Sequence, residues 1–226
     1  MKHLLLPALL ASLMLQVSPA SASVVADFGQ FSVTYDDSTI FGGIDFSYGA
    51  GNQVGFGWNI PSNVSVVSTG SPVTANFALP DFTVTVNSGY TLSGAVGGFI
   101  GNLVYTQLGA ATTSASVSGL LSIDSLGPVP VNNSLIATPV TTIPGILQSG
   151  YYSGSIAQPY GAFTSFSFTG GVISLTTAGG TATITAQPQN EFKIYFNATP
   201  VPEPETYALM LAGLSLVGFM ARRRKI

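Results

Sequence analysis

The sequence predicts an all-β fold, an antiparallel β-sandwich or jelly roll, and three observations predict it. Polar and apolar residues alternate over 30–35, 81–86, 163–168 and 181–186, a period of two that turns one face of a strand to a core. Glycine and asparagine clusters punctuate these runs: Phe41-Gly42-Gly43, Asn87-Ser88-Gly89, Thr169-Gly170-Gly171 and Ala178-Gly179-Gly180 each read as a turn. Between residues 23 and 200 no capped apolar stripe recurs at helical spacing. Together these give about ten to thirteen short strands in two packed sheets. Over 92–108, Gly94, Gly97, Gly98 and Gly101 interrupt apolar positions and predict a long or bulged strand pair. Pro128, Pro130, Pro139 and Pro144 make 127–150 a long loop or an edge region. No fixed-period repeat runs through the chain, which argues against a solenoid.

Composition narrows the chemistry. Of 226 residues 46% are hydrophobic and 7% charged, with 26 Gly and no Cys, against roughly 25% charge in an average soluble domain. Residues 23–200 suffice for one domain with its own core. The one histidine, His3, lies in a segment expected to be removed. Ser-His-Asp and Cys-His catalysis and the usual zinc sites therefore drop out. Residues 23–200 hold seven acids and one base, Lys193, so nucleic acid, whose binding needs several Lys or Arg, is a poor partner. In the same stretch 43 Ser and Thr hydroxyls replace charge as the solvent-facing groups. Such a surface suits a hydrated polymer, and equally an ordinary acidic secreted protein.

Both ends read as addresses. Lys2 and His3 precede an apolar run over 4–17, and Ala20 and Ala22 then form an Ala-x-Ala site. A positive start, a short apolar helix and small residues at the peptidase pocket are the requirements of a secretory signal. Cleavage by signal peptidase is expected after Ala22, which makes 1–22 a signal peptide and 23–200 the exported β-sandwich. At the other end Val201, Pro202, Glu203 and Pro204 lead into an apolar run over 207–221, closed by Arg222, Arg223, Arg224 and Lys225. The prolines fix φ and remove amide donors, so the strap should stay extended and open to a processing enzyme. The run is apolar on every side of a helix and therefore suits membrane lipid. At 1.5 Å per residue it reaches about 22 Å, short of a ~30 Å hydrocarbon core, so Thr206, snorkelling arginines or a thinned bilayer must complete the span. The basic cluster stays on the cytoplasmic side.

This ending resembles the PEP-CTERM sorting signal of Gram-negative bacteria, with Val201-Pro202-Glu203-Pro204 as its motif, 207–221 as its membrane helix and Arg222 to Lys225 as its basic stop. The likeness covers 201–226. It implies an exosortase-like membrane enzyme as processing partner, and a place in the cell envelope, outer surface or extracellular matrix among proteins tied to exopolysaccharide and biofilm. It makes the chain a substrate of that enzyme, supplying the recognised peptide and no catalytic group for that reaction.

Within 23–200 the candidate sites are three. Asp36, Asp37 and Asp45 offer hard oxygens to a calcium ion, although their spacing is not that of an EF-hand and an exposed turn explains them as well. Trp58, Tyr151 and Tyr152, with Tyr160 a lesser candidate, could stack on sugar rings. Core packing is the other use of aromatics in a strand-rich domain. Six Asp and one Glu leave room for a carboxylate-dependent glycoside hydrolase, which needs two facing acids, but no spacing pairs them. The expectation is a non-enzymatic, exported structural or adhesive protein without a required cofactor. A carbohydrate-binding module is the alternative and a hydrolase the third reading.

Overall fold

The computed structural model describes residues 23–188, 191–202 and 204–223, so the expected signal peptide with Ala20 and Ala22, and also Glu203, Arg224 and Lys225, lie outside the described residues. Among the described residues the chain forms β1 (Ser23–Asp27), β2 (Phe31–Asp36), β3 (Phe46–Ala50), β4 (Gln53–Asn59), β5 (Ser65–Thr69), β6 (Val73–Ala78), β7 (Phe82–Val86), β8 (Tyr90–Leu108), β9 (Thr112–Ile123), β10 (Val129–Ser134), β11 (Ile136–Ile143), β12 (Leu147–Phe163), β13 (Ser165–Ala178), β14 (Thr181–Thr185), β15 (Glu191–Pro200) and the helix α1 (Pro204–Arg223).

Every strand pairing among the described residues is antiparallel. One sheet runs β1-β2-β7-β13-β9-β10, with β6 also on β13; the other runs β11-β12-β8-β15-β4-β3, with β14 bridging β5 and β8. This is the two-sheet architecture the alternation predicts, with fifteen strands rather than thirteen and well beyond the eight of a jelly roll. The surplus comes largely from 127–150. That stretch is no long loop but holds β10 and β11, the outer strands of the two sheets. Pro130 and Pro139 fit there because an edge strand tolerates a missing amide donor. Thr169-Gly170-Gly171 is likewise no turn. The register shifts between Thr169 and Val172, and Gly170 takes φ 61°, so the pair forms a bulge inside β13. Gly179 and Gly180 do turn the chain, from β13 into β14.

Aromatic rings join the sheets. Phe31 meets Phe196 edge-on at 4.8 Å, Phe166 meets Phe196 at 5.2 Å and Phe56 meets Phe82 at 5.4 Å, contacts worth about 0.5–1.5 kcal/mol each beyond area burial. Beside β10 and β12 the core leaves an apolar cavity of about 60 Å³, lined by Val96, Ile100, Leu121, Val131 and Ile156 among others. No acid, base or nucleophile lines it.

Candidate functional sites: the C-terminal strap and an aromatic sheet face

β15 lies between β8 and β4 and remains paired to its last residue, Pro200 opposite Tyr90. The Val201 amide then donates to the Gly89 carbonyl at 2.8 Å, where the body passes into the tail. Val201 and Pro202 are exposed, as befits proline-flanked chain that can join no ladder. α1 follows at once. Leu209, Leu211, Leu214, Leu216, Val217 and Phe219 are each 58–73% exposed, so the helix turns no apolar face into the sandwich. Among the described residues no helix is long and apolar enough to cross a membrane. Arg222 and Arg223 continue the backbone of α1.

A family model, the PEP-CTERM protein-sorting motif, matches residues 200–225. The chain carries a PEP-CTERM sorting signal. It is thereby marked for export to the cell envelope and for sorting by exosortase to the cell surface. No curated protein matches the chain. Two solved structures of infectious bursal disease virus are similar to it at very low level. The Gx strain shares 12% identity over 82% of this chain and 52% of its own, with a TM-score of 0.15, and the Gt strain 13% over 79% and 50%, with 0.16. The chain spans about half the length of each, and scores this low assign no shared fold.

In the body ahead of the PEP-CTERM signal the expected sites are rearranged. Trp58 is fully buried, stacked on Phe192 at 5.5 Å and edge-on to Phe56, so it builds core and cannot meet a sugar. Tyr152 is buried too. Its hydroxyl donates to the Thr113 carbonyl at 2.6 Å, and burial raises its pKa. Tyr160 packs half-buried against the same core, and Tyr151 alone of the predicted pair is half-exposed. No group of three or more His, Cys, Asp or Glu among the described residues is placed to hold a metal. Asp36 accepts the Ser38 amide at 2.8 Å within a local turn, and Asp45 accepts the Asn59 amide at 2.7 Å across the open end of the β3–β4 hairpin. Asp37 is exposed, and the four other acids of the body are occupied in kind. Asp27 binds Gly29 N, Asp81 binds Gly170 N, Asp124 binds Thr164 and Ser165, and Glu191 pairs with Lys193.

What sequence reasoning missed lies on the outer face of the β12-β8-β15-β4-β3 sheet. Inward residues Val54, Phe56 and Trp58 leave Gly55 and Gly57 facing outward. Register sets Phe46, Gly57, Lys193 and Phe99 in one row and Tyr48, Gly55, Tyr195 and Gly97 in the next. The rings lie down over the glycines. A Cβ on Gly57 would meet the Phe46 ring at 2.6 Å, one on Gly55 the Tyr48 ring at 2.5 Å, and one on Gly97 the Tyr195 ring. Phe46 and Tyr48 stack at 6.5 Å and 29°, and the Tyr48 hydroxyl crosses β4 to donate to the Ile194 carbonyl at 3.0 Å. Burial first, then Tyr195 and Glu191, push its pKa up to about 12, so it stays a neutral donor. The Lys193 ammonium sits 4.7 Å from the Phe99 ring centre and 2.9 Å from Glu191. The opposite outer face differs in chemistry: Thr34, Thr83 and Ser167 align across β2, β7 and β13 as a row of hydroxyls.

Proposed function

We propose that the protein leaves the cytoplasm behind its N-terminal signal and is held in the membrane by α1 while exosortase acts on the strap. It then serves at the cell surface or in the matrix as a structural or adhesive component, with no reaction of its own. The observation that carries this reading is that the chain is fastened to the sheet at Val201, leaves it with Val201 and Pro202 exposed, and continues into a helix whose apolar residues over 207–220 are exposed. A helix that buries nothing against its own domain has lipid as its natural solvent. The span is short. Tyr207 at one end and Arg222 and Arg223 at the other supply the interfacial residues that let a short helix seat itself.

The test is a pair of changes. Replacing Pro202 and Pro204 with Ala should leave the full-length tail unprocessed in the membrane fraction, read by mass spectrometry of the C-terminus. Leu214→Arg should shift the chain out of that fraction without moving the melting temperature of the body, because Leu214 is 61% exposed. Normal processing of the proline variant would defeat the sorting step, and an unchanged membrane fraction for Leu214→Arg would defeat the anchor.

A further inference from the structure

We propose that the aromatic platform on the outer face of β8, β15, β4 and β3 binds a neutral polysaccharide chain. Four features of the face lead there. The Phe46, Tyr48 and Tyr195 rings are half-buried and lie flat. Each is backed by a glycine whose missing side chain is what lets the ring lie down. A flat, pinned aromatic presents a π-face at little entropic cost, and the counterpart of a flat π-face is a ligand with flat apolar faces, such as the C–H faces of a pyranose ring.

The platform is also long in one direction. Its rows cross from β3 to β8 through three strand spacings, about 14 Å at 4.7–4.9 Å each, so successive sugar units meet successive rings. Its rim is polar where it flanks the rows. Beyond the Tyr48 row the flank is uncharged, with Gln53 paired to Asn197; beyond the Phe46 row Asn59 stands opposite Glu191, whose charge Lys193 already meets; amides that both donate and accept match sugar hydroxyls.

Charge then selects the kind of chain. Lys193 is the only base between residues 23 and 200, and Glu191 neutralises it at 2.9 Å. The six remaining acids make the body negative, so an anionic polymer finds no free cation on the platform and a repulsive field around it. A neutral chain meets neither cost. The site stands independently of the tail, so a failure of strap processing would leave it in place, and loss of glycan binding would leave the sorting reading in place.

The experiment uses the full chain in lipid nanodiscs, with soluble neutral glucan and mannan and the anionic polymer alginate as probes in affinity electrophoresis. At least one neutral polymer should retard the protein and alginate should not. Tyr195→Ala and Phe46→Ala should each weaken binding about tenfold, roughly the worth of one lost stacking contact. Val25→Ala, an exposed site on β1 in the other sheet, should leave binding unchanged. Hydroxyl-radical footprinting of the unmutated chain provides a reading that no folding defect can confuse: the bound neutral polymer should protect Tyr48 and Tyr195. Binding to neither neutral polymer, preference for alginate, undiminished binding by both ring variants, or a dimer that Tyr195→Ala dissolves would each overturn the proposal, the last by showing a second copy on this face.

Discussion

Asp124 shows how a chain so poor in charge spends the little it has. The residue sits at φ 46°, a left-handed conformation that Asp tolerates better than most. From there one carboxylate oxygen accepts the Thr164 amide at 2.9 Å, the Ser165 amide at 2.8 Å and the Thr164 hydroxyl at 2.8 Å. The end of β9 is thereby tied to the corner where β12 becomes β13. Desolvation pulls its pKa upward, but the hydrogen bonds from Thr164 and Ser165 together outweigh it and hold the carboxyl below its ordinary value. A lowered folded-state pKa means the contribution is complete above the unfolded carboxyl's pKa and is lost as pH falls through the folded one. Asp124→Ala should therefore cost about 1–2 kcal/mol at neutral pH, the low end for charge-assisted bonds because the site is open to solvent. Asp124→Asn, which keeps an acceptor and tolerates the backbone, should cost less. Thermal melts check both: the gap between Asp124→Ala and the unmutated chain should narrow as pH falls below the ordinary carboxyl range and the native carboxylate takes up its proton, and a gap that keeps its neutral-pH size throughout the acid range would refute the account.

At the scale of elements, the lesson is that a strand's two faces are not equally legible. β2, β7 and β14 are readable from the chain because each alternates a buried hydrophobe with an exposed hydroxyl, and that pattern is local. The segment Gly55-Phe56-Gly57-Trp58 looks like an aromatic offered to solvent between flexible residues. It is the reverse: Phe56 and Trp58 are the core, and the glycines face the outer side, buried beneath rings from β3. Nothing within β4 says so, because the complement to Gly55 is Tyr48 on one neighbour and Tyr195 on the other, and register is a property of the folded sheet. A usable signal was present only in the matching of Gly-x-Gly with Phe46-x-Tyr48 and Lys193-x-Tyr195. The strap was legible for the opposite reason, since its order of prolines, apolar run and basic residues is a property of consecutive positions. Gly55 makes the packing testable. A Cβ there would strike the Ile194 carbonyl as well as the Tyr48 ring, and a backbone oxygen inside a ladder cannot step aside. Gly55→Ala should lower stability by about 1–3 kcal/mol, the usual cost of overpacking. Denaturant unfolding with a reduced midpoint and an unchanged slope is the expected result; a midpoint equal to that of the unmutated chain would mean the rings are not held as described.

For the molecule as a whole, the position of β15 decides what tail removal does. The last strand of the chain is an inner strand of its sheet, placing Phe192, Ile194, Phe196 and Ala198 in the core, and Phe196 touches rings from both β2 and β13 of the opposite sheet. The body is rich in non-local pairings, such as β13 on β6 and β15 on β4, and sheets of this kind form late, after costly loop closures. They cannot be completed until residue 200 is available. The sorting tail starts where that requirement ends. Beyond Val201, whose amide donates to Gly89, the described residues bury nothing in the core. Cutting or transferring the strap therefore frees the body without opening it, whereas a cut ten residues earlier would take out four core side chains. A chain ended after Val201 should melt within a degree or two of the full-length protein, a tolerance set by about 0.5 kcal/mol or less in a domain of this size. A chain ended before Glu191 should show no cooperative transition at all. Circular dichroism melts of the two separate the cases, and a loss of several degrees on removing 202–226 alone would mean that α1 supports the sandwich, which would undo the reading of that helix as a membrane element.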